Sequence, residues 1–349
     1  MKNLQQKIYQ SEHLTQQEAQ LIFNAVVKGE LSEVDMTSLL VSLKMKGEHP
    51  QEIAGAALAL RNNSLPFPKS LSSVADSCGT GGSGMNTVNI STMVAIVLAE
   101  LGLPMVKHGN RSVSSKCGSA DVLERLGFKI NLNTQQAKTC LDDLNFCFLF
   151  APNYHPGVKH IMPVRNQLQT RTIFNLLGPL INPAQPEFQL MGVYSENLCL
   201  PAAETLRLAG CQSAMVVHSA GYDEITLHSP TNVVELNNNK LSQFTISNQD
   251  FNLPSCDQND ILGGDPFYNA EIFNDILKGQ LNNNKKVAIA NTVAANAGAL
   301  LKLSNRVNSL AEGALLALQS ILNGKPFERL NSLVYLSQRL FDNKGVHVE

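Results

Sequence analysis

Apolar positions in the first seventy residues recur at helical spacing, in short blocks separated by cap and turn residues. Thr15 and Glu18 stand at capping-box spacing ahead of Ala19, Ile22, Phe23 and Val26. Ser32 predicts a second helix carrying Leu39, Leu40 and Leu43, stopping near Gly47. Pro50 suits the first turn of a third, with Ile53, Ala57 and Leu60 inward. A helical unit this small has little core of its own, so it is expected to pack on a partner surface or on the rest of the chain. The stretch NNSLPFPKS at 62–70 reads as a linker.

From about residue 72 short apolar runs alternate with longer helical blocks. Strands are predicted at 74–77, 104–107, 146–151, 190–194 and 214–218, and helices at 91–101, 200–209, 287–303 and 310–322. Asparagine runs at 237–239 and 282–284 mark surface turns. Alternation of this kind predicts an α/β domain with a central, largely parallel sheet. The expected division is a small N-terminal helical domain over 1–70, to which a helical segment near 160–182 returns, and a larger α/β domain over 71–349.

Two glycine- and hydroxyl-rich loops interrupt this pattern, CGTGGSG at 78–84 and KHGNRSVSSKCGS at 107–119. Glycine lets backbone N–H groups wrap phosphate oxygens with no side chain in the way. The first loop is ambiguous alone, since a tight strand-to-helix turn looks the same. Gly79, Gly81 and Gly84 fit G-x-G-x-x-G, but the next strand ends in Lys107 and His108, not in the acid that would hold a ribose. Met85 and Asn86 stand where a P-loop needs Lys and Ser or Thr. The second loop puts Lys107, Arg111 and Lys116 among His108, Asn110, Ser112, Ser114 and Ser115. Both loops are expected to open at the carboxyl edge of the sheet, where ligands bind in such folds. Two loops on one βαβ unit suit a sugar with phosphate at both ends.

Bulk properties narrow the class. With 27 basic and 29 acidic side chains the formal net charge is −2, so no broad surface for DNA or RNA is expected. No run is apolar enough to span a membrane, and no secretory signal opens the chain. Seven scattered cysteines without a C-x-x-C pair argue against disulfides and structural zinc, and for a reduced, cytoplasmic setting.

The strings CGTGGSG, VNIST, KHGNRSVSSKCGSAD, PVRNQLQTRTIFNLLGPLINP and GYDEIT follow one another as in anthranilate phosphoribosyltransferase, a family the chain resembles from about residue 10 to 340. The resemblance implies a nucleoside phosphorylase/phosphoribosyltransferase-like fold and a homodimer formed through the helical domain. It also implies a reaction in tryptophan biosynthesis. The amine of anthranilate displaces pyrophosphate from 5-phosphoribosyl 1-pyrophosphate (PRPP), giving N-(5-phosphoribosyl)anthranilate.

By the same resemblance, Gly79, Gly82, Ser83, Thr87, Asn89, Ile90, Ser91 and Thr92 bind the donor. So do Lys107, His108, Gly109, Asn110, Arg111, Ser112, Val113, Ser114, Ser115 and Ser119. Gly79, Asn110 and Arg165 match the anthranilate site, with His108, Tyr154 and His155 in supporting positions. Ser91, Asp223 and Glu224 match ligands for Mg2+, two ions per site, and Lys107, Asp223 and Glu224 are the implied catalytic groups. Without the resemblance, Asp223 and Glu224 would read as a solvated turn and Arg165 as a surface ion-pair residue. The family pattern in the first loop is usually GTGGDG, and Ser83 departs from it. Removing that carboxylate is expected to change magnesium dependence more than the reaction itself. A nucleoside phosphorylase is the nearest enzymatic rival, but it has no pyrophosphate to neutralise.

Overall fold

The computed structural model describes residues 1–69, 72–112 and 116–342. One mixed sheet organises the larger part of the chain. Its strands are β1 (Ala75–Gly79), β2 (Met105–Gly109), β3 (Phe146–Phe150), β4 (Phe188–Gly192), β5 (Ser213–His218), β6 (Thr231–Asn237) and β7 (Lys240–Ile246). They lie in the order β3-β2-β1-β4-β5-β6-β7. The first five are parallel and the last two antiparallel. Strand order reverses at β1 and β4, which leaves a crevice beyond their carboxyl ends.

The five parallel strands fall within about two residues of their predicted positions. The β6–β7 hairpin was not expected, although its turn was. Asn238 and Asn239 adopt φ of 48° and 65°, the left-handed geometry that asparagine tolerates in a two-residue hairpin. Strand β7 is largely exposed and polar, with Lys240, Ser242, Gln243 and Thr245, so no apolar run announced it.

Four helices open the chain: α1 (Lys2–Tyr9), α2 (Gln16–Val27), α3 (Glu33–Lys46) and α4 (Pro50–Asn62). The predicted punctuation is present. Thr15 and Glu18 form a capping box, Ser32 caps α3, Gly47 closes it at φ 86°, and Pro50 is the first residue of α4. Helix α1 is short, with only Gln5 and Ile8 buried, and lacked a readable stripe.

Each face of the sheet has its own core, because successive strand residues point to opposite sides. Leu190, Met215, Val217 and Val233 pack with α5 (Ile90–Glu100) and the helices Asn284–Leu303 and Leu310–Leu322. Met191, Val216 and Val234 join the other cluster, which includes Ile22, Phe23, Leu39, Leu43, Ile53 and Leu60 of the helical unit. Ile161, Val164, Ile173, Phe174 and Leu177 belong to the same cluster. The helical unit therefore completes its core against the helix Cys199–Leu208, which packs on β5 and β6, and against the 161–181 segment.

Candidate active site

Strand β1 ends at Gly79 and runs into a loop in which Gly81, Gly82 and Gly84 have φ of 67°, 76° and 77°. These are left-handed values that side chains other than glycine adopt at a cost. Beside it, β4 ends at Gly192. A Cβ at Gly79 would overlap the Asp223 carboxylate, and one at Gly192 would overlap the Asp223 backbone. The two bare backbones thus let the segment after β5 settle onto the strand ends. Asp223 Oδ2 accepts the Gly81 N–H at 2.8 Å, and the Thr80 N–H reaches the Gly192 carbonyl at 2.9 Å.

Glu224, next to it, is less satisfied. Its Oε1 accepts the Thr87 hydroxyl at 2.9 Å, while Oε2 is buried with no hydrogen-bond partner. Burial, followed by the neighbouring Asp223 charge, pushes its carboxyl up to about 8. Lys107, the middle residue of β2, is 2% exposed and donates to the Ser77 carbonyl at 2.8 Å and the Ser91 hydroxyl at 3.0 Å. Burial lowers its pKa against the opposing pull of Asp76, Cys78 and Glu224. Thr87, Ser91, Lys107 and Glu224 are thereby linked, with Asp223 adjacent.

A half-satisfied buried carboxylate is costly unless a cation meets it. Hard oxygen donors of this kind fit magnesium. Among the described residues no cluster of three or more His, Cys, Asp or Glu side chains could hold a metal alone. Two carboxylates and the Ser91 hydroxyl instead leave coordination positions for ligand oxygens. That is the usual arrangement for magnesium bound with phosphates.

The second loop is organised by Asp121 in the helix Ser119–Arg125, whose Oδ2 accepts the N–H groups of Ser112 at 3.0 Å and Gly118 at 2.9 Å. Arg111 pairs with both Asp121 and Glu124, so its charge is used within the loop. Ser119 sits against Gly109, where no Cβ would fit. Asn110 is exposed and its Oδ1 accepts the Arg111 N–H at 2.7 Å. Val113, Ser114 and Ser115 lie outside the described residues.

His108 and His155 meet edge to face, ring centroids 5.1 Å apart. His108 Nδ1 faces the Gly178 carbonyl at 3.2 Å and its Nε2 is buried without a hydrogen bond, while the buried His155 ring lies beside the Leu60 and Ile181 backbone. Burial holds both rings neutral, lowering His108 to about 3 and His155 to about 4. The Tyr154 hydroxyl is likewise buried, beside Thr134.

Arg165, on the helix Met162–Leu168, is half-buried with its guanidinium 5.2 Å from the Phe174 ring centroid. Among the described residues no carboxylate lies within ion-pair reach of it, so the surface ion-pair alternative is not what the fold builds. It forms no hydrogen bond with Gly79 or Asn110.

Two features escaped the sequence. Asp76, on β1, is fully buried, accepts Asn182 Nδ2 at 2.9 Å and is pushed up to about 6 by burial. An acid inside the strand run VADSC was the available signal. Arg171 donates to the Gly82 carbonyl and stacks 4.2 Å over the Tyr194 ring, tying the first loop to the segment that returns to the helices. Ser83 keeps to its own loop, its hydroxyl accepting the Met85 N–H at 3.4 Å.

Known proteins share the two-part architecture described above. The model of the glycosyl transferase family, a/b domain, matches residues 71–327, and that of its helical bundle domain matches residues 2–64. Anthranilate phosphoribosyltransferase of Idiomarina loihiensis is 48% identical over 325 residues, covering 93% of this chain and 95% of that protein. The crystal structure of the Thermus thermophilus enzyme of that name superposes with a TM-score of 0.90 at 36% identity, covering 96% of this chain and 99% of the other. The Saccharomyces cerevisiae enzyme in complex with PRPP and Mg gives 0.83 at 26% identity over 93% of each chain. The same yeast enzyme with 4-fluoroanthranilate gives 0.86 at 25% identity over 97% of each.

Proposed function

Because the chain belongs to the anthranilate phosphoribosyltransferases of this glycosyl transferase family, we propose that the crevice at the carboxyl ends of β1, β2 and β4 is its active site. The enzyme transfers the phosphoribosyl group of PRPP to the amine of anthranilate, giving N-(5-phosphoribosyl)anthranilate and pyrophosphate in tryptophan biosynthesis. The observation that carries the residue roles is the buried, unpartnered Glu224 Oε2 beside Asp223, in a cluster that also holds Lys107 and Ser91.

Ser91, Asp223 and Glu224 would hold Mg2+, two ions per site. When bound, the metal neutralises the negative charge that gathers on departing pyrophosphate. Lys107 adds a fixed positive charge on the same side. The glycine loop, Thr87 and the first turn of α5 from Asn89 to Thr92 offer donors to the phosphates, in keeping with the anion preference of a helix start. Gly109 to Ser115, with Ser119, cover the rest of the donor. Positive charge develops on the ribose as the C1–oxygen bond loosens, so preorganised charge at the leaving group carries most of the catalysis.

Arg165, a cation without an anion, would take the anthranilate carboxylate through its guanidinium fork. Asn110 and Gly79 complete that end, with neutral His108 and His155 and Tyr154 as supporting walls. An aromatic amine is neutral at pH 7, so positioning suffices without a strong base. Mixing purified protein, magnesium, PRPP and anthranilate should extinguish anthranilate fluorescence. Persistent fluorescence together with thymidine cleavage in phosphate buffer would favour a phosphorylase instead.

Three further assignments complete the proposal. The helical domain spans 1–70 with the 160–182 segment returning to it, the α/β domain spans 71–349, and two chains pair through the helical domain. Support for pairing comes from α3, where Val34 and Met45 are 79% and 80% exposed and Val41 lies between them on the same stripe. The cytoplasm is the proposed setting, supported by seven free cysteines.

A further inference from the structure

The geometry points to Asn269 as a positioning residue that fixes the amide of Asn89 and so locks the two donor loops together. It rests on Asn89 being a donor ligand, as proposed above. Asn269 lies on the helix Pro266–Leu277, 180 residues after Asn89 in sequence, and is 2% exposed.

Three hydrogen bonds run in series. The Gly264 N–H donates to Asn269 Oδ1 at 2.8 Å, Asn269 Nδ2 donates to Asn89 Oδ1 at 2.9 Å, and Asn89 Nδ2 donates to the Cys117 carbonyl at 3.2 Å. Their polarity has only one consistent solution. The first group is a backbone N–H, which can only donate, and the last is a backbone carbonyl, which can only accept. Both side-chain amides between them must therefore point one way. An asparagine amide alone has two nearly isosteric orientations, and here the backbone at each end selects one.

The relay matters because of what it joins. Gly264 belongs to a segment stitched to the first loop, where the Val88 N–H reaches the Ile261 carbonyl at 3.1 Å and the Gly263 N–H reaches the Asn86 carbonyl at 2.7 Å. A Cβ at Gly263 would stand 2.7 Å from Asn269 Oδ1 and 2.8 Å from the Thr87 carbonyl, so the packing leaves no slack. Cys117 closes the second loop, and its thiol also lies 3.4 Å from Asn89 Oδ1. Asn89 sits immediately before α5, between the two loops. Asn269 thus sets the spacing of the loops that must grip opposite ends of one donor, while making no contact with Arg165, the proposed anthranilate ligand.

The test is a double-mutant cycle of Asn269→Leu and Asn89→Ala in the full-length protein, read by steady-state kinetics and by titration calorimetry of PRPP with magnesium. Asn269→Asp is the second variant, since it keeps the acceptor for Gly264 but removes the donor to Asn89. Loss of one buried hydrogen bond predicts that KM for PRPP rises about tenfold, with KM for anthranilate unchanged and kcat within about threefold. In the Asn89→Ala background the same change should add less than about twofold, because the partner is already gone. Equal effects in both backgrounds, or a lowered melting temperature with unaltered PRPP affinity, would overturn the assignment. A wild-type protein that turns over no anthranilate would instead sink the underlying function.

Discussion

Two regions of the site carry ionisable groups of opposite kind with incomplete partners, and they are held in different ways. Asp223 is fastened against backbone that admits no Cβ at Gly79 or Gly192, while Thr87 holds one oxygen of the adjacent Glu224 and no hydrogen bond among the described residues reaches the other. Arg165 leans on Phe174 from a short helix, with only the Met162 sulfur within hydrogen-bonding range, at 3.9 Å. Rigid anionic groups suit a cation whose geometry must be reproduced at each turnover. A cation on a stem packed against an aromatic ring suits a carboxylate that arrives and leaves with the substrate. On the assignment proposed above, chemistry belongs to the first region and recognition to the second.

Replacing both Asp223 and Glu224 with Ala should have the largest effect. We expect kcat to fall by about a hundredfold or more and its response to magnesium to flatten, since stabilisation of the leaving group is lost. Unchanged turnover would remove the pair from the mechanism. Arg165→Ala should raise KM for anthranilate about ten- to a hundredfold, the worth of a charge-assisted hydrogen bond, and leave KM for PRPP near wild type. A defect confined to PRPP would merge the two regions.

Smaller effects sharpen the picture. Ser83→Asp restores a carboxylate beside the donor loop and should shift the magnesium concentration giving half-maximal rate by several-fold, with modest change in kcat. Superimposable titrations would show that Ser83 has no part in metal response. Smallest is the pH effect of the paired histidines. Both are neutral in the fold, at about 3 and 4, against about 6.5 in an unfolded chain. Below pH 6.5 the unfolded chain binds protons that the fold refuses, so stability declines as pH falls toward 4 and is unaffected by these groups above 6.5. Urea midpoints measured from pH 7 to 4.5 should fall less for His155→Gln than for the natural protein.

Local signals in the chain were reliable where the physics is local. Thr15, Ser32 and Pro50 announced their helices because caps act within four residues. The five parallel strands were legible as apolar runs, whereas β7 was not, because an exposed edge strand has no face to bury. Glycine loops and Lys107 were visible as composition. The buried Glu224 Oε2 was not, since an Asp-Glu pair before Ile225 normally stays in water, and its seat depends on distant partners: Thr87, Asn296 against the Ile225 backbone, and the close fit of Asp223 on Gly79 and Gly192. Arg111 looked like a free cation, and two carboxylates one helical turn beyond the loop claim it. Asn269 carried no local mark, because its partners are Asn89 and Gly264, joined only by tertiary packing.

The most direct measurement is a crystal structure of the protein soaked with PRPP and magnesium. The diphosphate should lie between the two glycine loops, with a metal about 2.1 Å from the Glu224 oxygen that has no protein partner. A donor bound elsewhere, with that oxygen still bare, would contradict the account.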